Sequence, residues 1–157
     1  MTLHAKDVMV RNFDTIHMDA SVEEAIHKIL NSEVRETGYK TISLIVVDDL
    51  NKLSGVVTMF DILYHLRPNF LNLGIDGEEL EWEGQLKSLI NSFHGKKVHH
   101  IMTRNVVGVT INDHVMIVLD RMVKSKYRRL PVLKNGQPIG VVYISDIFHH
   151  LFSQKLI

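Results

Sequence analysis

The chain has 157 residues, 45% of them hydrophobic and 23% charged, which suits one ordinary domain or two small ones and excludes a disordered tail protein. Its 18 basic side chains balance 18 acidic ones, so no net field draws nucleic acid or an anionic membrane, and without cysteine there is no disulfide, thiolate metal site or cysteine nucleophile. No apolar signal region opens the chain and no apolar run reaches spanning length, so a cytoplasmic protein with no membrane insertion is expected.

Residues 7–12 lead into a predicted strand at 14–17. Ser21 then starts a helix, with Glu24 as its partner three residues on. Val22, Ala25, Ile26, Ile29 and Leu30 share one helical face, which is predicted to be buried. Residues 31–40 contain Gly38 and read as helix end and loop. The continuous apolar run at 44–47 has the character of a strand covered on both faces. Residues 48–52 turn the chain into a strand at 53–58, and the helix after it ends before Pro68, which disfavours helical geometry at Arg67. Asp76 and Glu79 resemble another helix start. Trp82, Leu86, Leu89, Ile90 and Phe93 then recur at helical spacing until Gly95. A linker helix packed on the core explains that stripe, and its weight also suggests a dimer contact through Trp82 and Phe93.

The second half repeats the first. Met102 falls 93 positions after Met9, and the same offset carries Val115, Val118, Leu119, Met122 and Val123 onto the apolar face of the first helix. Gly-Val-Val-Thr-Met-Phe-Asp at 55–61 returns at 140–146 as Gly-Val-Val-Tyr-Ile-Ser-Asp, an offset of 85. The first copy therefore carries extra residues, mostly in its 31–43 loop. Asn135-Gly136 is a hairpin signal in the second copy. Both copies read strand, helix, strand, strand, helix. In each, an apolar strand runs directly into a helix whose first turn carries an acid. Thr58 and Asp61 have the spacing of a capping box, and capping alone would account for them. An acid held there is also placed to accept two hydrogen bonds from a vicinal diol such as ribose.

These features resemble a tandem pair of CBS domains, the family named after cystathionine β-synthase. The resemblance rests on Asp7-Val8-Met9, on His100-Ile101-Met102-Thr103, on Arg129-Leu130-Pro131-Val132 and on the two Gly-to-Asp segments. It implies an α/β fold of the α+β type, with two β-α-β-β-α repeats packed sheet to sheet around a pseudo-twofold axis. Residues 1–67 would form repeat 1, residues 68–97 a linker with an amphipathic helix, and residues 98–157 repeat 2. It further implies two clefts between the repeats that bind adenosine-containing ligands (AMP, ADP, ATP or S-adenosylmethionine) in a regulatory, non-catalytic sensor. Asp61 and Asp146 match the family's ribose-holding acid, and Thr58 its hydroxyl. Tyr143 departs from that hydroxyl and either stacks on a base or fills space. Ile16 and Val109 match positions beside the adenine. Arg128, Arg129 and Pro131 lie where the family often places a phosphate-reaching base, and an arginine fork suits phosphate. The first copy has Ile42 and Ser43 there, so phosphate charge would be met mostly from the second copy. One competent cleft with Asp61 and Thr58 at its ribose end, and a weaker one at Asp146, are expected. A homodimer and an unidentified regulated protein are the expected partners.

Other chemistry is poorly supported. Ten histidines include the pairs His99-His100 and His149-His150, but neighbours in sequence point apart and no metal-ligand spacing accompanies them. Arg121, Lys124 and Lys126 read as the solvated face of a helix rather than a nucleic-acid surface. No nucleophile elbow or phosphate loop can be assembled, which disfavours an enzyme. A ligand-free dimerisation or docking scaffold remains the alternative to a sensor.

Overall fold

A computed structural model describes residues 2–34, 40, 42–68, 70–71 and 82–153. Its elements are α1 (Ala5–Val8), β1 (Thr15–His17), α2 (Val22–Leu30), β2 (Ser43–Val47), β3 (Leu53–Thr58), α3 (Met59–Leu66), α4 (Trp82–Asn91), α5 (Val115–Ser125), β4 (Arg129–Lys134), β5 (Gln137–Tyr143) and α6 (Ile144–Phe152). A 3₁₀ turn occupies Val98–His100. The helix start expected at Asp76 and Glu79, and Gly38 of the first loop, lie outside the described residues.

Local chemistry sets the element boundaries. Ser21 Oγ accepts the Glu24 amide at 3.1 Å and begins α2. His114 serves α5 differently, its ring Nδ1 accepting the Met116 amide at 3.0 Å. Arg67 is extended ahead of Pro68 and ends α3. Asp48 Oδ1 accepts the amides of Leu50 and Lys52 at 2.9 and 3.0 Å, closing the turn between β2 and β3. Above all, the Lys52 amide holds the Asp48 carboxyl below its ordinary value. Asn135 and Gly136 both take positive φ, 54° and 80°, as a two-residue hairpin turn requires.

Two sheets result. In the first, β1 runs parallel to β2 and β2 antiparallel to β3, and all five residues of β2 are buried as its apolar run predicts. The second is the β4–β5 hairpin. Where the sequence reading expects a third strand there, Val109 alone joins the edge. Its amide donates to Pro131 O at 2.9 Å, and its carbonyl accepts from the Leu133 amide at 2.8 Å. The sheets face each other through Ile45, Val47, Val56, Val141 and Tyr143, with Phe13 and Val106 packed at the margin.

Each half's core is completed by the other half's lead-in segment. Ala5 and Val8 are buried with Val109, Val115, Val118, Met122, Leu130 and Ile147. Reciprocally, Val98, Ile101 and Met102 are buried with Ile16, Val22, Ala25, Leu44 and Val57. Backbone hydrogen bonds repeat the exchange at the offset of 93. Val98 N donates to Ala20 O at 2.8 Å and Ala5 N to Asp113 O at 2.8 Å, while Val22 N donates to Lys96 O and Val115 N to Leu3 O. Val10 pairs with Val141, and Thr103 with Val56, through two hydrogen bonds each. The motif glycines permit that approach. A Cβ on Gly55 would fall 2.5 Å from Thr103 O, and one on Gly140 would fall 2.6 Å from Met9 Sδ.

Two apolar readings need correction. Leu30 and its counterpart Val123 are exposed at 68% and 61%, because the final position of each helical stripe runs past the edge of its core. In α4, Trp82, Leu86 and Ile90 are exposed, whereas Phe93 is 4% exposed and belongs to the first core. The stripe therefore meets the core only at its C-terminal end, and Phe93 cannot reach a second molecule. Phe93→Ala should lower stability by about 3–5 kcal/mol, the usual loss for a buried aromatic. Trp82→Ala should stay within about 0.5 kcal/mol, and chemical denaturation of the two variants checks the contrast. In a second test, Gly140→Ala should cost about 1–3 kcal/mol by overpacking. Met9→Ala should recover part of that loss, since the obstacle is a flexible side chain. Gly55→Ala meets a backbone oxygen, so Met102→Ala should rescue it less.

Candidate functional site

The predicted site residues separate into two corners related by the pseudo-twofold. At the first, β3 runs straight into α3 and Thr58 caps the helix. Thr58 Oγ1 accepts the Asp61 amide at 3.1 Å, and Asp61 Oδ2 accepts from Thr58 N at 2.9 Å and from Thr58 Oγ1 at 3.0 Å. The capping box read from the sequence is thus present in full. Asp61 Oδ1 accepts a further hydrogen bond, from Thr103 Oγ1 at 3.0 Å. Asp61 is half-buried, its carboxylate bound on one side to its own helix and on the other to the lead-in of the second half.

At the second corner, β5 runs into α6, and Tyr143 makes no side-chain cap. Tyr143 is buried within the inter-sheet core, which favours the space-filling side of the two readings offered for it. Asp146 is 2% exposed, in the first turn of α6. Arg129 is the register partner of Tyr143, and Pro131 that of Val141, so the arginine stands on the Asp146 side of the molecule. Arg128 is exposed, and its carbonyl accepts the first amide of α6 at 2.9 Å. Ile16 and Val109 place their side chains in the two cores, leaving only backbone to border a ligand.

A cavity of about 920 Å³ opens at this second corner, lined by Met9, Val10, Arg11, Asn12, Asp14, His27, Lys28, Asn31, Asp146 and His150 among others. That volume is within the range of small-molecule sites. Its walls come from both halves: the first lead-in and α2 on one side, α6 on the other. Cations and anions are mixed along it, with Arg11 and Lys28 set against Asp14, Glu33 and Asp146. Lys28 Nζ donates to Thr15 O at 2.9 Å, at the start of β1, and its counterpart Arg121 donates to Gly108 O at 3.4 Å, beside the bridge at Val109.

Arg11, Lys28 and His27 were not singled out from the sequence, His150 was weighed only as half of an adjacent pair, and the bond from Thr103 to Asp61 was not foreseen. Their one available signal was the offset of 93, which superposes the two lead-ins but does not say which half each packs against. Among the described residues no three His, Asp or Glu side chains are grouped to hold a metal ion. His99 and His100 do approach, with ring centroids 4.2 Å apart. The rings of His149 and His150 on α6 are 6.5 Å apart. Among the described residues no helix is long and apolar enough to cross a membrane.

Comparison with known proteins agrees with this architecture. Residues 5–68 and 98–153 match the family model described as CBS domain. An uncharacterised 17.7 kDa protein from Acidianus ambivalens is 30% identical over 106 residues, covering 67% of this chain and 51% of that protein. The chain thus spans about half the length of this curated relative, and 23% and 42% of two others. The crystal structure of the CBS-pair protein CBSX2 from Arabidopsis thaliana superposes with a TM-score of 0.73 at 23% identity, covering 99% of this chain and 98% of that one. A structure of CBSX2 in complex with AMP gives a TM-score of 0.69 at 25% identity, covering 97% and 98%. With both halves matched and most of the chain covered, the protein belongs to the CBS domain family as a tandem pair.

Proposed function

We propose that the chain is a regulatory module that binds an adenosine-containing ligand between its halves and passes the bound state to a partner, without catalysis. The observation that carries this reading is the cavity of about 920 Å³ walled by both halves, with a buried helix-start acid, Asp146, on its lining. CBSX2, a relative of the same fold, has been solved in complex with AMP, which supports adenosine as the common element. In this reading Asp61 and Asp146 receive ribose hydroxyls, Thr58 assists at the first corner, and Arg128 and Arg129 supply charge for phosphate. Ligand touching both walls favours one relative packing of the halves, by no more than its differential affinity for the two arrangements. That coupling is about 1–3 kcal/mol for a single site. A cytoplasmic location belongs to the same proposal.

A ligand-free scaffold is the second reading. It is favoured by the carboxylate of Asp61, both of whose oxygens are engaged within the protein, and by Tyr143, which lies in the inter-sheet core. Titration calorimetry with AMP, ADP, ATP and S-adenosylmethionine separates the two readings. Binding of at least one of the four, weakened at least tenfold by Asp146→Ala, is expected of a sensor. A folded protein that gives no heat with any of them is a scaffold.

A homodimer is part of both readings. Phe60, Leu63 and Tyr64 on α3, and Phe148 and Phe152 on α6, are exposed, and Phe148 packs on Phe152 with ring centroids 5.0 Å apart. Apolar faces of this kind favour association with a like surface. Leu63→Lys combined with Phe148→Lys should convert the dimer to a monomer in sedimentation velocity. An unchanged sedimentation coefficient removes these helices from the interface.

A further inference from the structure

We infer that the two seams between the halves form a proton-sensitive joint, fastened by the neutral rings of His100 and His114 and weakened when those rings take up a proton. The inference concerns how the lead-ins are held, so it stands apart from the adenosine-binding reading. Each seam is a backbone bridge, His4 with His114 and Ser21 with Lys97, and the offset of 93 carries one onto the other. At the first, the His4 amide donates to Asp7 Oδ2 at 2.8 Å and the Met116 amide to His114 Nδ1 at 3.0 Å. At the second, the Lys97 amide donates to His100 Nδ1 at 3.0 Å and the Glu24 amide to Ser21 Oγ at 3.1 Å. His100 thus stands where the other seam has Asp7, and His114 where it has Ser21. Each seam pairs one acceptor that persists in mild acid with one imidazole.

A ring nitrogen accepts only while it carries no proton. The amide bonds at Nδ1 therefore require both rings neutral, with their hydrogen on Nε2. Protonation turns each acceptor into a donor aimed at another donor. At His114 it also sets a positive charge on the N-terminus of α5, which the helix dipole disfavours. The His4 ring stands edge-on to His114 with centroids 6.0 Å apart, and its Nδ1 is 3.7 Å from Asp7. The neighbouring Asp113 carboxylate accepts the Thr110 amide and lies 4.0 Å from Arg121. His99 packs on His100 and is 3.8 Å from Asp19, Arg104 donates to the His99 carbonyl, and Lys97 shares the same turn. A charged His4 or His99 adds repulsion to a charged neighbour. The stability from both caps is thus present above the ordinary histidine range, about pH 6.5, and is lost as pH falls through it. His4, His17, His94 and His99 lie 2.6 to 3.8 Å from carboxylates and gain on protonation instead. A difference between variants separates the caps from these pairs.

The molecule supplies its own controls, since His114→Ser and His100→Asp install the residue that the matching position already uses. Urea unfolding of the full chain at about pH 7.5 and about pH 5.5 compares the wild type with both single variants and the double variant. On going to the lower pH, the wild type should lose more than the double variant, by roughly 2- to 30-fold in the folded-to-unfolded ratio for each cap. Each single variant should fall between them. A double variant that loses as much as the wild type overturns the joint. Nitrogen-15 NMR of the wild-type rings gives a second reading that needs no variant to fold. His100 and His114 should carry their hydrogen on Nε2 at the higher pH, and rings that carry it on Nδ1 overturn the inference as well.

Discussion

Everything in this molecule depends on the reciprocal pairing of the lead-in segments, Val10 with Val141 and Thr103 with Val56. Each pairing adds a short piece of one half to the edge of the other half's sheet, and two hydrogen bonds per bridge satisfy backbone groups that a sheet edge would otherwise expose. The apolar residues just before each bridge then complete the opposite core. Ala5 and Val8 enter one core, and Val98, Ile101 and Met102 the other. Neither half has a full hydrophobic interior from its own contiguous residues. The glycine that begins each strand-to-helix motif follows from the same constraint, since a methyl group at Gly55 or Gly140 would strike the incoming segment.

The exchange also creates the cavity. Because the first lead-in crosses to β5, residues 9–12 are carried alongside α6, and the space left between them and α2 becomes the cavity. A second tether lies at the hairpin tips, where Leu53 N donates to Gly136 O at 3.0 Å and Gln137 Nε2 to Leu50 O at 3.0 Å. The halves are thus held at the tips, at the lead-ins and through the apolar layer of Ile45, Val56, Val141 and Tyr143. A ligand in the cavity would act on a joint that is already fixed at several points, and this limits its effect to modest shifts in packing rather than a large opening.

Much of the fold was legible because local chemistry and duplication point the same way. The capping residues Ser21 and Thr58, the Asn135-Gly136 turn, the stop before Pro68 and the doubly covered β2 all follow from short-range rules. The repeat itself follows from two constant offsets. What escaped was every question of partner. Periodicity says that Val8 and Ile101 are apolar, but it does not say which core receives them. It marked Leu30 and Val123 as buried when they lie just beyond the rim, and it gave residues 82–93 an inward stripe of which only Phe93, just past the end of α4, reaches a core. At the site, the acids Asp61 and Asp146 were visible as first-turn carboxylates. The bond from Thr103 to Asp61 and the cavity lining by Arg11, Lys28 and His150 were not, because these residues converge only through long-range packing between halves.

The crossing of the lead-ins has a consequence for biogenesis. The first half leaves the ribosome with its strands and helices encoded but without Val98, Ile101 and Met102, which come more than thirty positions after its last helix, α3, ends at Leu66. Its interior stays unsealed until those residues emerge, while Ala5 and Val8 wait longer still for α5 and α6 to appear. Nascent chains of this kind expose apolar surface that is open to wrong association, and shielding by a chaperone matters most during that interval.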